Sequence, residues 1–167
     1  MISAKDEFIF MRLEKGEKAA LEDLLALYAR SFYAFLCGLS GQDSPAVKKV
    51  LIESLVEILS RRAESEKPFR LRMLRTMISQ QGSRLSGLKL SPEFSIRKPI
   101  LEVLLKLDWE ERLLILLRDQ QELLYDEMRQ VLEWPEERIK KRLCDARLHF
   151  RSQIEEIFRA KRKRSPA

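Results

Sequence analysis

The chain has 167 residues, 45% hydrophobic and 35% charged, with only 5 Gly and 6 Pro, which leaves room for one ordinary domain or two small helical ones and points to long helices, few sheets and little intrinsic disorder. Its 32 Lys and Arg against 26 Asp and Glu give a net charge of +6, a bias toward polyanionic partners that does not by itself establish nucleic-acid binding. No run of about 18 apolar residues occurs, and Lys5, Asp6 and Glu7 interrupt the start, so neither membrane insertion nor a signal peptide is expected and the expected location is cytoplasmic.

In chain order, Leu21, Leu24, Leu25, Tyr28, Phe32, Phe35, Leu36 and Leu39 recur at helical spacing and stop at Gly41, which predicts a first amphipathic helix. Val47, Val50, Leu51, Ser54, Leu55, Ile58 and Leu59 predict a second, entered through Ser44 as N-cap and Pro45 at the first helical position. Phe69 to Ile78 is a third, with Pro68 at its start. The stretch Gln80 to Pro99 then holds two glycines, two prolines and four serines, with Arg84, Lys89, Arg97 and Lys98 against Glu93 alone. It reads as a basic linker between a lobe of residues 1–79 and a lobe of residues 100–167. Beyond it, Ile100 to Lys106 and Trp109 to Asp119 read as apolar-striped helices and Tyr125 to Leu132 as a short one. After Glu133-Trp134-Pro135 a long helix runs to about Arg159, and a basic tail closes the chain. The predicted fold class is therefore all-α, two small helical lobes joined by a basic linker.

A short helix, a tight turn and a longer helix form the helix-turn-helix pattern, whose second helix can enter the major groove. On that second helix Ile139, Leu143, Ala146 and Phe150 make one buried stripe. Arg138 and Arg142 flank it on one side, Lys140, Arg147 and Arg151 on the other, and Lys141 points outward. Such a basic face suits phosphates and base edges, or is simply solvated.

From Leu107 to Ile154 the chain resembles the fourth conserved region of small extracytoplasmic-function sigma factors, whose pattern runs from L-P-x-x-x-R through Y-E-E-I-A-x-x-L-G to T-V-K-S-R-L-x-R-A-R. Leu107, Arg112, Arg118-Asp119, Tyr125, Glu127, Met128, Leu132, Pro135, Ile139, Lys140, Arg142, Leu143, Ala146 and Arg147 fall in that register without a gap. The resemblance implies promoter DNA as a partner, with Arg138, Lys140, Lys141, Arg142 and Arg147 on the upstream promoter element. Departures are Arg129 for a small alanine, Glu133 for the turn glycine, Glu137-Arg138 for Gly-Thr, and Lys141 and Asp145 for a serine and an arginine. Arg129 must therefore snorkel or widen the helix packing, and Glu133 must accept a left-handed conformation. Glu136 and Glu137 suit a helix N-terminus but repel a nearby phosphate.

The first lobe resembles region two of the same family: Leu24 to Leu39 its opening helix, Val50 to Leu59 the helix D-L-V-Q-E-x-F-L-x-L-W, and Pro68-Phe69-Arg70 with Leu74-Arg75 the helix F-R-x-W-L-x-R-I-A-x-N. This implies that Glu53, Leu51 and Leu55 hold core RNA polymerase, and that Arg70, Arg72 and Arg75 face the downstream promoter element. Lys48, Lys49 and Ile52 depart from the family's clamp-binding pattern, and Arg72 and Ser79 from the tryptophan and asparagine linked to promoter melting.

Two functions follow. One is a sigma factor that binds core RNA polymerase and directs promoter-specific initiation; the other is a sigma-like mimic that occupies an anti-sigma factor or another protein without initiating transcription. No enzyme is expected. There is no phosphate-cradling glycine loop, and the pairs Glu110-Glu111 and Glu155-Glu156 diverge by about 100° on a helix. Cys37, Cys144 and the single His149 have no metal-ligand or disulfide spacing, so no metal or cofactor is expected, and the thiols are expected reduced and buried or half-buried.

Overall fold

The computed structural model describes residues 8–9, 11–13, 15–41, 44–60, 68–84 and 99–164. Among these every regular element is helical, and the chain divides into two compact units, residues 1–37 with 44–87 and residues 38–43 with 88–167.

Helix α1 spans Lys18–Ser40, its residues 18–37 belonging to the first unit, which also holds α2 Pro45–Ser60 and α3 Phe69–Arg84. Gly41 ends α1 at φ 75°, the left-handed conformation that glycine adopts without a Cβ penalty. Ser44 caps α2 through its carbonyl, which accepts from Val47 N at 3.0 Å, rather than through its hydroxyl; the buried Oγ has no hydrogen-bond partner among the described residues. Pro68 likewise accepts from Leu71 N and Arg72 N, so it stands one position before α3. The core collects Leu24, Phe32 and Phe35 of α1, Val47, Val50 and Ile58 of α2, and Phe69, Met73, Leu74 and Met77 of α3. Tyr28 stacks on Phe32 at 5.4 Å between centroids, and both lean on Phe69, so three rings lock α1 to the start of α3.

The third helix runs six residues past the expected Ile78. Its extra turns are held by tertiary bonds: Ser54 Oγ donates to Gln80 Oε1 at 3.2 Å, and Gln80 Nε2 to Glu57 Oε2 at 3.0 Å. Residues 80–84 of the expected linker are thus helical, Pro99 opens the next helix, and 85–98 lie outside the described residues.

In the second unit α4 spans Pro99–Lys106, α5 Trp109–Ile115, α6 Tyr125–Leu132 and α7 Glu136–Arg164. The fifth helix starts on a capping box: Asp108 Oδ1 accepts from Glu111 N at 2.8 Å, and Asp108 N donates back to Glu111 Oε2 at 3.1 Å. Leu113 and Leu114 of α5 and Leu117 just beyond it are fully buried, so this stretch runs through the unit's core. It does not continue as an α-helix to Asp119. Residues Leu116–Gln120 widen into a π turn closed by Gln121 N to Leu116 O at 2.9 Å. Arg118 then donates to Leu123 O at 2.6 Å, and Glu122 takes φ 53°, which folds the chain back into α6. Met128 and Val131 of α6 and Ile139, Leu143 and Ala146 of α7 close the core, with Phe150 half-buried. Each fully buried leucine or isoleucine of that stripe contributes about 1.5–3 kcal/mol.

Candidate nucleic-acid interface

The turn between α6 and α7 is built on local rules. Glu127, three residues into α6, reaches back to Leu124 N at 2.8 Å. Glu133 ends the helix at φ 58°, ψ 28°, with its N–H on Arg129 O at 2.8 Å, so a glutamate occupies the left-handed position expected of it. Pro135 accepts from Ile139 N and launches α7. Arg129 is exposed and pairs with Asp126 at 3.2 Å while Met128 fills the core, so the arginine turns outward and leaves the packing of α6 on α7 intact. The guanidinium of Arg138 lies 4.0 Å over the Trp134 ring, which ties the turn to the first turn of α7.

The cations expected to face DNA are mostly held by carboxylates of the same unit. Glu110 of α5 binds two at once: its Oε1 accepts from Arg138 at 3.2 Å and its Oε2 from Arg142 at 2.9 Å. Asp108 stands 3.7 Å from Arg142 as well. Arg147 is hydrogen-bonded to Asp119, and Lys140 to Glu136 at 2.6 Å with its ammonium over Tyr125. The bond from Lys140 holds the Glu136 carboxyl below the usual range, and the hydrogen bonds that Arg142 and Arg147 donate to Glu110 and Asp119 raise both arginines above the ordinary guanidinium value. Lys141 is exposed and has no ion pair among the described residues. Apart from Glu136, which is on α7 itself, the pairing partners lie 28–34 residues upstream of the cations, at the start of α5 and on the π turn, which is why the spacing within α7 did not disclose them.

Two further residues, His149 and Arg112, border this site. His149 Nδ1 sits 3.0 Å from Oε2 of Glu111, the buried capping residue of α5. Glu110 and Glu111 thus serve different partners, as their divergence on a helix requires. Arg112 donates to Leu107 O at 3.1 Å, and burial pushes its guanidinium below the ordinary value. Cys37 is buried, but Cys144 is exposed, contrary to expectation, because it falls one position beyond Leu143 and off the apolar stripe. No group of three His, Cys, Asp or Glu among the described residues is placed to hold a metal, and no described helix is long and apolar enough to cross a membrane.

In the first unit, Glu53, Leu51 and Leu55 are half-buried on α2, and Glu53 stands 3.9 Å from Lys49. The large apolar side chains most open to a partner there are Ile52 and Val56, each 60% exposed. With the half-buried Leu55 and Leu59 they make a second apolar stripe at i, i+3, i+4 and i+7, distinct from the buried one of Val47, Val50 and Ile58. Arg70, Arg72 and Arg75 are half-buried on α3, and Arg72 donates to Ile58 O at 3.2 Å, closing the last turn of α2.

No protein-family model and no curated protein matches the chain. Among solved structures it is similar to CnrH, solved in complex with the cytosolic domain of CnrY: TM-score 0.72 at 18% identity, covering 91% of this chain and 98% of that one. The likeness shows the all-α fold across nearly the whole length.

Proposed function

We propose that this chain is a sigma factor that binds core RNA polymerase and directs promoter-specific transcription initiation in the cytoplasm, supplying no chemistry of its own. The observation that carries this reading is the α6–Glu133–α7 unit. It is a helix-turn-helix in which the family register from Leu107 to Arg147 runs without a gap, and its one costly departure at the turn, a glutamate for glycine, is accommodated in the left-handed conformation. Lys141 and the outer parts of Arg138, Lys140, Arg142 and Arg147 meet the upstream promoter element, Arg70 and Arg75 the downstream one, and α2 docks polymerase through Glu53, Leu51, Leu55 and the exposed Ile52 and Val56. Apolar residues spaced as those on α2 are what a helix-in-groove contact uses.

A specific observation favours a second reading, a sigma-like mimic. Four of the five α7 cations assigned to the upstream promoter element are already paired with carboxylates of their own unit, and Lys48 and Lys49 stand where the family carries acid. CnrH was solved with the cytosolic domain of CnrY, so a chain of this fold can hold a protein partner, and for a mimic that partner is an anti-sigma factor. Co-purification with the tagged protein from its host separates the two. Core polymerase subunits come down with the parent and are lost with Val56→Asp if the chain is a sigma factor. A small regulatory protein in their place establishes the mimic.

A further inference from the structure

The net charge of +6 is not carried by the helix-turn-helix body. Residues 99–158 hold ten Lys and Arg against fourteen Asp and Glu, a net charge of −4, whereas residues 159–164 hold five cations and no acid. Those five, Arg159, Lys161, Arg162, Lys163 and Arg164, lie on the last turns of α7, whose 29 residues run well past the stripe that packs it. Among the described side chains burial along α7 ends at Ala146 and half-burial reaches Ile157, and the helix goes on for seven residues, about 10 Å of axis at ~1.5 Å each.

We propose that Arg159–Arg164 is a second phosphodiester-binding element, a basic helical arm that supplies the electrostatic attraction for duplex DNA which the helix-turn-helix body lacks. The inference rests on the DNA-binding reading above. A body of net negative charge whose cations are mostly paired internally repels a polyanion that comes within the Debye length of ~8–10 Å, so the attraction that draws DNA to the unit must come from elsewhere in it. The arm has the composition for it. Cations three and four apart, Arg159 with Arg162 and Lys163, Lys161 with Arg164, destabilise a free helix, and phosphates relieve that repulsion. Their position at a helix C-terminus suits the dipole. Between Arg159 and Arg164 the only uncharged residue is Ala160; an acidic protein partner would be expected to find an apolar anchor, whereas the phosphate backbone requires only charge.

The test uses the full chain, a promoter duplex and a scrambled duplex, with fluorescence anisotropy across a salt series. A variant with all five cations replaced by glutamine keeps good helix formers and leaves the core untouched; a chain ending at Phe158 is the second variant. The expected result for both is a salt slope shallower by about two to four and, at ~0.15 M salt, roughly a hundredfold loss of affinity if about three contacts are removed. The loss is the same on both duplexes, because phosphate contacts carry no sequence information. Variants that keep the parent's slope overturn the arm while leaving the promoter reading intact, provided Lys141→Ala still erodes the preference for promoter over scrambled duplex. A parent that binds neither duplex at low salt overturns both.

Discussion

Replacing Glu110 by glutamine tests whether the carboxylates of α5 compete with DNA for the recognition helix. Glu110 accepts from Arg138 at 3.2 Å and from Arg142 at 2.9 Å, and a phosphate must displace it from both. Side-chain exposures of 34–49% put these pairs at the surface, where a pair shifts an equilibrium by roughly 1.5- to 5-fold. Two pairs released together, with one negative charge removed beside the approaching phosphates, give promoter DNA binding tighter by about threefold to tenfold at ~0.1 M salt. Glutamine keeps the shape and can still accept a hydrogen bond, so the melting temperature moves by less than about 4 °C. Fluorescence anisotropy on a labelled promoter duplex measures the affinity, and circular dichroism checks the fold. An affinity that is unchanged or weaker in a folded Glu110→Gln protein refutes the competition: the arginines are then held away from DNA, and Glu110 is part of their support.

Leu143→Asp places a charge on a stripe where Leu143 is 1% exposed; the cost of several kcal/mol is comparable to the stability of a small helical unit, and loss of the cooperative thermal transition of residues 99–164 is the expected result. Glu133→Gly relieves the left-handed strain at φ 58° and raises stability by about 0.5–1 kcal/mol after the entropy of an added glycine is deducted, read as a higher urea midpoint at unchanged slope. Ser54→Ala removes the fully buried hydroxyl that donates to Gln80 and costs about 1 kcal/mol by the same measurement, with α3 shortening toward Ile78 in hydrogen exchange.

What could be read from the sequence is what depends on neighbours along the chain. The stripe of Ile139, Leu143, Ala146 and Phe150 needs only the 3.6-residue period, and Gly41 and Glu133 needed only the rule that a helix commonly ends in a left-handed residue. The end of α3 was not legible because Gln80 and Gln81 followed by Gly82 read as a terminator, while the bonds that carry the helix onward come from Ser54 and Glu57 on another helix. The π turn after Ile115 was hidden for a related reason: Leu116 and Leu117 fit an α-helical stripe equally well, and the widening is imposed by the chain's return through Arg118 and Leu123. The basic face of α7 was visible as composition, but its neutralisation by Glu110 and Asp119 is a property of helix packing. Ile52 and Val56 were missed because one apolar stripe on α2 already accounted for a core.

The Arg138–Trp134 stack also makes the molecule its own optical gauge. Trp109 and Trp134 are the chain's two tryptophans, and both belong to the second unit, so indole emission follows that unit alone while melting of the first is seen only through its tyrosines, Tyr28 and Tyr33, or through backbone dichroism. With a guanidinium 4.0 Å above its ring, Trp134 registers where Arg138 is parked. Transfer of that charge to a phosphate changes the field across one indole and leaves the other as a steady background, which gives an unlabelled signal for docking separate from any change in fold.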